Sequence, residues 1–203
     1  MNTSIKNLIA TTLTVIVLAG TNVIAKAEDK AITVLSDVKK VNKINVSGNV
    51  ELILVQSADE SVKVYDNYYT KNALVQQKDG ELRISSYDKE TLTVVVYTNN
   101  LSSITASDNA TVRTHGKLTT LDLNVNLNDN ATADLNTNTI SLSTNIKGNA
   151  SLSLTGSTLD YNAMVNKTSK VSLNDFAAET SNIRSQNATP LAVVKAIDWS
   201  ITE

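Results

Sequence analysis

The sequence of 203 residues predicts an all-β fold, a single-stranded parallel β-helix (β-solenoid) with about 20 residues per rung. Three observations carry that expectation. A short phrase recurs down the second half of the chain, apolar positions keep the same step, and those positions alternate with polar ones as in strands with one buried face.

The phrase reads Ser107-Asp108-Asn109-Ala110-Thr111, then Asn128-Asp129-Asn130-Ala131-Thr132, Lys147-Gly148-Asn149-Ala150-Ser151 and Ser185-Gln186-Asn187-Ala188-Thr189. A degenerate copy, Asn166-Lys167-Thr168-Ser169-Lys170, fills the remaining gap. The centres at 109, 130, 149, 168 and 187 stand 21, 19, 19 and 19 residues apart. A unit this short buries no core alone, so successive units must stack. Asp, Asn and Gly tolerate the left-handed backbone conformation, so each Asp/Gly-Asn pair marks a corner between two strands. The small Ala110, Ala131 and Ala150 then enter the crowded interior. Stacked Asn109, Asn130 and Asn149 are placed for an amide ladder of about 4.8 Å per step.

The apolar columns follow the phrase. Val112, Ala133, Leu152, Val171 and Leu191 form one, and Thr114, Leu135, Leu154, Leu173 and Val193 the next. A third, Leu121, Ile140, Leu159 and Ala178, is joined by Leu123, Leu142 and Tyr161. In the first half, Ser47-Gly48-Asn49-Val50 repeats the phrase 60 residues before Asn109, which reads as three rungs. Strands are expected over Val62–Tyr65, Glu81–Ser85 and Thr91–Tyr97, with turns at Lys78-Asp79-Gly80 and Tyr87-Asp88-Lys89. Residues 28–40 and 194–203, the latter with Trp199, are expected to cover the ends, because an open end presents unpaired strand edges.

Residues 1–27 read as a signal peptide: Lys6, an apolar run from Leu8 to Ala19, and Ala25-Lys26-Ala27 before a mature start at Glu28. Residues 28–203 then form one β-helix domain with its caps, exported to the periplasm, the outer surface or the extracellular space. No apolar run is long enough for a membrane span. Cysteine is absent, which rules out disulfides, thiolate nucleophiles and cysteine-ligated zinc. Without Lys6 and Lys26 the chain carries 16 basic against 20 acidic side chains and no basic cluster beyond Lys39-Lys40, so nucleic acid is not an expected partner.

The segments Val41-Asn42-Lys43-Ile44-Asn45-Val46-Ser47-Gly48-Asn49-Val50-Glu51-Leu52-Ile53-Leu54-Val55-Gln56 and Leu101-Ser102-Ser103-Ile104-Thr105-Ala106-Ser107-Asp108-Asn109-Ala110, with the recurring step, resemble the head GIN domain. That family is named for autotransporter adhesins and is typical of Bacteroidetes; the resemblance covers roughly residues 35–195. It implies a parallel β-helix, export, a role in cell adhesion and no catalytic residues. Family corners usually carry Ser-Gly, whereas here Gly stands only at Gly48 and Gly148, and the glycine-rich C-terminal close of the family is missing.

Chemistry has to be argued from residues, since a fold does not supply a function. His115 is the sole histidine, and a lone base in a turn-like stretch, without an orienting partner, does not make a hydrolase. A polysaccharide lyase or glycosidase remains the enzymatic alternative, and a purely structural envelope component the inert one; neither a catalytic set nor a cofactor is expected. The binding candidates are Tyr68 and Tyr87, 19 residues apart and placed to offer stacked rings to a sugar, and Asp108 and Asp129, placed on adjacent rungs where two carboxylates can share a hard cation. The wider aspartate series, Asp66, Asp88, Asp108 and Asp129, steps by 22, 20 and 21 residues. The expected activity is adhesion to a glycan or a cell-surface protein.

Overall fold

A computed structural model describes residues 32–35, 38, 40–65 and 73–186. Their thirteen strands are β1 (Ile32–Leu35), β2 (Lys43–Gly48), β3 (Val50–Gln56), β4 (Ser61–Tyr65), β5 (Ala73–Lys78), β6 (Glu81–Ser86), β7 (Leu92–Thr98), β8 (Ser103–Ala106), β9 (Thr111–His115), β10 (Leu118–Leu127), β11 (Thr132–Ile146), β12 (Ser151–Asn166) and β13 (Lys170–Gln186). All join one sheet.

The fold is all-β, but it corrects the expected single-stranded parallel β-helix: the sheet is a curled half-barrel with mixed strand directions. β1 runs antiparallel to β4, β4 to β7, and β5 to β6. The chain does not climb evenly either. Lys43 of β2 lies beside Ser103 of β8, and Glu51 of β3 beside Thr111 of β9, so the 60-residue separation is one stacking step rather than three. The intervening β6 and β7 add to the opposite sides of β2 and β3. A hydrophobic step recurring at a multiple of the rung length is blind to this detour, because pairing follows surface burial and not chain order.

Two walls result. β5, β6, β2, β8 and β10 lie in one, here the second wall, while β1, β4, β7, β3 and β9 form the first. β11 serves both: Thr132–Asp134 pair with Thr111–Arg113 of β9, Thr137–Thr139 beside Leu118–Thr120 of β10 lead into a bend, and Ser141–Ile146 beside Asp122–Leu127 of β10 continue the second wall. β12 and β13 extend it in parallel, with a register irregularity between Ser153 and Thr155 that lengthens the step to β13 by one residue. The irregularity puts Ala178 beside Thr158, so Ala178 leaves the Leu121–Ile140–Leu159 column where the even step had placed it.

The core lies between the walls. Val112, Ala133 and Leu152 are buried in one column and Leu135 and Leu154 in the next, as the alternation predicts. Leu121, Ile140 and Leu159 are instead exposed at 67%, 48% and 46%. They occupy the bend between walls, where the strands present two successive residues outward and the cross-strand register skips from Thr139 to Ser141. Tyr161 fills the interior, with its ring edge-on to Phe176 at 5.3 Å between centroids and its hydroxyl 3.1 Å from that of Thr144.

The walls meet at tight corners. Gly48, Asp108, Asp129 and Gly148 take φ of 80°, 58°, 58° and 67°, so the left-handed residue is the one preceding each stacked Asn. The turn closes with the amide of Ala110 donating to the carbonyl of Ser107, and that of Ala131 to Asn128. Ala110, Ala131 and Ala150 are fully buried behind it. At Asp79-Gly80 both residues have positive φ, the geometry of a two-residue hairpin joining β5 to β6.

Two stability predictions follow from this packing. A Cβ at Gly48 would lie 2.0 Å from the Ser86 carbonyl oxygen, whereas one at Gly116, with φ +84°, would meet nothing within 4 Å. Urea unfolding of Gly48→Ala is expected to show a loss of about 2–4 kcal/mol, and Gly116→Ala only the ~1 kcal/mol cost of the left-handed backbone. Burial pushes the Tyr161 phenol above its ordinary range, with the Thr144 hydrogen bond opposing. A raised folded value favours the neutral ring, so its contribution is complete below the ordinary tyrosine pKa and is lost as pH climbs through the folded value. Tyrosinate absorbance from Tyr161 should therefore appear last in an alkaline titration, and Tyr161→Phe should flatten the alkaline fall in stability.

Candidate functional site

Corners and outward faces are what this fold offers to a ligand, and the corner column accounts for two of the residues singled out in the sequence. Asp108 and Asp129 do stand in adjacent layers. The Gly48 amide donates to Oδ2 of Asp108 at 3.0 Å, and the Asp108 amide donates to Oδ2 of Asp129 at 3.2 Å. Each carboxylate thus satisfies a corner N–H that the turn leaves without a backbone partner, which makes it a structural acceptor on one oxygen. Among the described residues no group of three or more His, Asp or Glu side chains converges as metal ligands.

The amide ladder is present beside them. Nδ2 of Asn130 donates to Oδ1 of Asn109 at 3.4 Å, and Nδ2 of Asn149 to Oδ1 of Asn130 at 3.5 Å. Asn49 continues the column differently, donating to the carbonyls of Asp88 and Lys89 and accepting from the Thr91 hydroxyl. Asp88 therefore lies on the far side of Gly48-Asn49 from Asp108, and the even aspartate spacing does not make them neighbours.

Tyr87 shares this edge of the molecule. It is 70% exposed, next to Asp88 in the corner between β6 and β7. Tyr68 lies outside the described residues, as do Asp66, the signal-peptide segment, Asn187 and Trp199. His115 ends β9, exposed and opposite Val55 of β3.

The outer face of the second wall is the broadest regular surface. Across seven strands one column reads Glu81, Lys43, Ser103, Asn124, Ser143, Asn162 and Asn182, and the next reads Arg83, Asn45, Thr105, Asn126, Asn145, Met164 and Arg184. Glu81 and Arg83 pair at 3.0 Å, which holds the Glu81 carboxyl below its ordinary range and the Arg83 guanidinium above its own. Toward β13 the face sinks into a shallow depression of about 280 Å³ lined by Ser143, Asn162, Met164, Asn182 and Arg184, among others. None of these residues stands out in the sequence. Their signal was the polar half of the alternation, which looks like ordinary solvated surface until register aligns it.

The first wall presents a different outer face. Ile53, Val55 and Tyr97 are half-buried on the side away from the core, Val95 on the same side is buried, and the Lys63 ammonium sits 4.8 Å from the Tyr97 ring centroid. The signal here was the loss of alternation in Leu52-Ile53-Leu54-Val55 and Val94-Val95-Val96-Tyr97.

A family model described as "Putative auto-transporter adhesin, head GIN domain" matches residues 40–202. The chain belongs to the head GIN domain family. Solved structures agree on the fold of this GIN domain. A protein named "putative adhesin" from Bacteroides fragilis NCTC 9343 superposes with TM-score 0.69 at 18% identity, over 79% of this chain and 78% of the other. A putative adhesin from Parabacteroides distasonis ATCC 8503 gives 0.59 at 17% identity, over 77% and 78%. A third protein, from the same Parabacteroides strain and named "putative lipid binding protein", gives 0.55 at 11%, over 78% and 79%. Identities this low establish a shared fold and leave the ligands open. No curated protein matches the chain.

If the corner carboxylates are structural, Asp129→Ala should cost about 1–3 kcal/mol in urea unfolding, because the Asp108 amide loses its acceptor and a non-glycine without a polar side chain takes the left-handed position. Asp129→Asn should cost less. Millimolar calcium should leave the wild-type midpoint unmoved, and a midpoint that climbs with calcium in wild type but not in Asp129→Ala would restore the shared-cation reading.

Proposed function

We propose that this GIN domain is an exported, non-enzymatic surface protein that binds a glycan or a cell-surface protein through the outer face of its second wall. One observation carries the reading. Register brings seven strands side by side so that two straight columns form on one face, with Asn, Ser or Thr supplied by six of the seven strands and with Ser143, Asn162, Met164, Asn182 and Arg184 around a depression. Amides and hydroxyls at strand spacing, about 4.8 Å apart, can donate to and accept from successive hydroxyls of an extended chain. Many such bonds, each modest in water, suit adhesion by multiple contacts better than tight capture. Export is supported by the features of residues 1–27 and by the family's name. Among the described residues, His115 is exposed at a strand end and no group of three or more His, Asp or Glu side chains converges, which lends the enzymatic alternative no support.

A glycan array with the mature chain, residues 28–203, tests the proposal. Any glycan retained should bind roughly tenfold or more weakly to an Asn162→Ala/Asn182→Ala/Arg184→Ala variant of unchanged circular dichroism, and equally well to His115→Ala. Loss of binding in Tyr87→Ala with the second-wall variant unaffected would move the site to the corner. Polysaccharide turnover that vanishes in His115→Ala would replace the adhesive reading with an enzymatic one.

A further inference from the structure

Leu121, Ile140 and Leu159 form an exposed aliphatic ridge at the bend between the walls, one residue from each of three successive layers. Exposed aliphatics are ordinary when scattered, but three stacked in a column about 4.8 Å apart make a continuous apolar strip, and such strips rimmed by polar groups mark interaction surfaces. The rim here is acidic. Asp122 and Asp160, each next in sequence to a ridge residue, are exposed, and the register places exposed Glu179 as the fourth member of the column. The nearest basic residues along these strands, Lys117 and Arg184, stand four residues from Leu121 and Thr180. Four residues of strand span about 13 Å, beyond the ~10 Å screening length in 0.1 M salt, while the carboxylates are immediate neighbours.

We infer that the ridge of Leu121, Ile140 and Leu159 docks a protein segment that carries an apolar stripe flanked by Lys or Arg. Charge decides between the possible occupants. A second copy packed ridge to ridge would set Asp122, Asp160 and Glu179 against their own equivalents, and like charges at an interface oppose association. An anionic lipid surface meets the same repulsion. A cationic amphipathic segment gains on both terms: its side chains cover the aliphatics and its ammonium or guanidinium groups meet the rim. The ridge lies at the bend, apart from the second-wall columns, and the inference does not depend on glycan binding.

The test uses the purified protein and a short synthetic peptide alternating Ile and Lys, with a matched Ile/Glu peptide, read by fluorescence anisotropy. The Lys peptide should bind wild type and weaken as salt rises, and the Glu peptide should not bind. Binding should fall roughly tenfold or more in Leu121→Ser/Ile140→Ser/Leu159→Ser and also in Asp122→Asn/Asp160→Asn/Glu179→Gln. Single Ile140→Ser repeats the measurement should the triple variant lose its β-sheet spectrum. The inference is overturned by no binding of the Lys peptide, by equal binding of the two peptides, or by indifference to the ridge substitutions. Concentration-dependent dimerisation abolished by the ridge variant would instead assign the strip to a second copy, and ridge-dependent binding to phosphatidylglycerol vesicles would assign it to a membrane; either result also overturns it.

Discussion

Continuous backbone hydrogen bonding around a sharp corner is the constraint on which this molecule rests. A sheet that bends through a turn normally leaves amides and carbonyls unpaired at the bend, and buried unpaired groups are costly. Here the ladder does not stop. The Asn130 amide donates to the Asp108 carbonyl at 2.9 Å and the Asn149 amide to the Asp129 carbonyl at 2.7 Å, so one corner bonds the next through its own turn. The amides of Gly48 and Asp108 donate to aspartate side chains of the next layer. A left-handed residue makes the turn tight enough for this, and a buried alanine behind it lets the walls approach.

The rest of the architecture follows from repeating that corner while the chain takes its own route through it. β2 and β3 enter with the Gly48 corner, β6 and β7 then slip in on one side, and β8 and β9 resume on the other. The corner stack therefore orders Asp88, then Asn49, then Asp108, although the chain visits Asn49 first. Antiparallel β4 and β5 flank the early layers, whereas β10 to β13 stay parallel. The half-barrel is the shape that results when a regular stack is built on an irregular, mixed beginning.

Function in such a molecule lies on surfaces, because the interior is filled. Three outward surfaces differ in chemistry: a polar second wall of aligned amides and hydroxyls, a first wall with Ile53, Val55 and Tyr97 part-exposed on its outer side, and the aliphatic ridge with its acidic rim. The chain belongs to the head GIN domain family and shares its fold with proteins named as putative adhesins. The inward columns and corners hold the fold, so any ligand specificity would have to come from the side chains of the outward columns.

The sequence by itself determined the β class, the positions of the corners, the buried alanines behind them and the inward columns through Val112 and Leu135, because turn chemistry and period-two alternation are local properties of the chain. It also marked Asp108 and Asp129 as neighbours, since one repeat separates them. What it misplaced, it misplaced for non-local reasons. The 60 residues between Asn49 and Asn109 fit three rungs as well as one, and only pairing across β2, β8 and β6 distinguishes them. The bulge between Ser153 and Thr155 shifted Ala178 off its column, and the bend between walls turned Leu121, Ile140 and Leu159 outward although they keep the step of a core. The polar columns of the second wall became visible only when register set seven strands side by side. A side chain's direction on a strand follows from local alternation, but its neighbours across strands, and the face left at a bend, are decided by how distant segments pair.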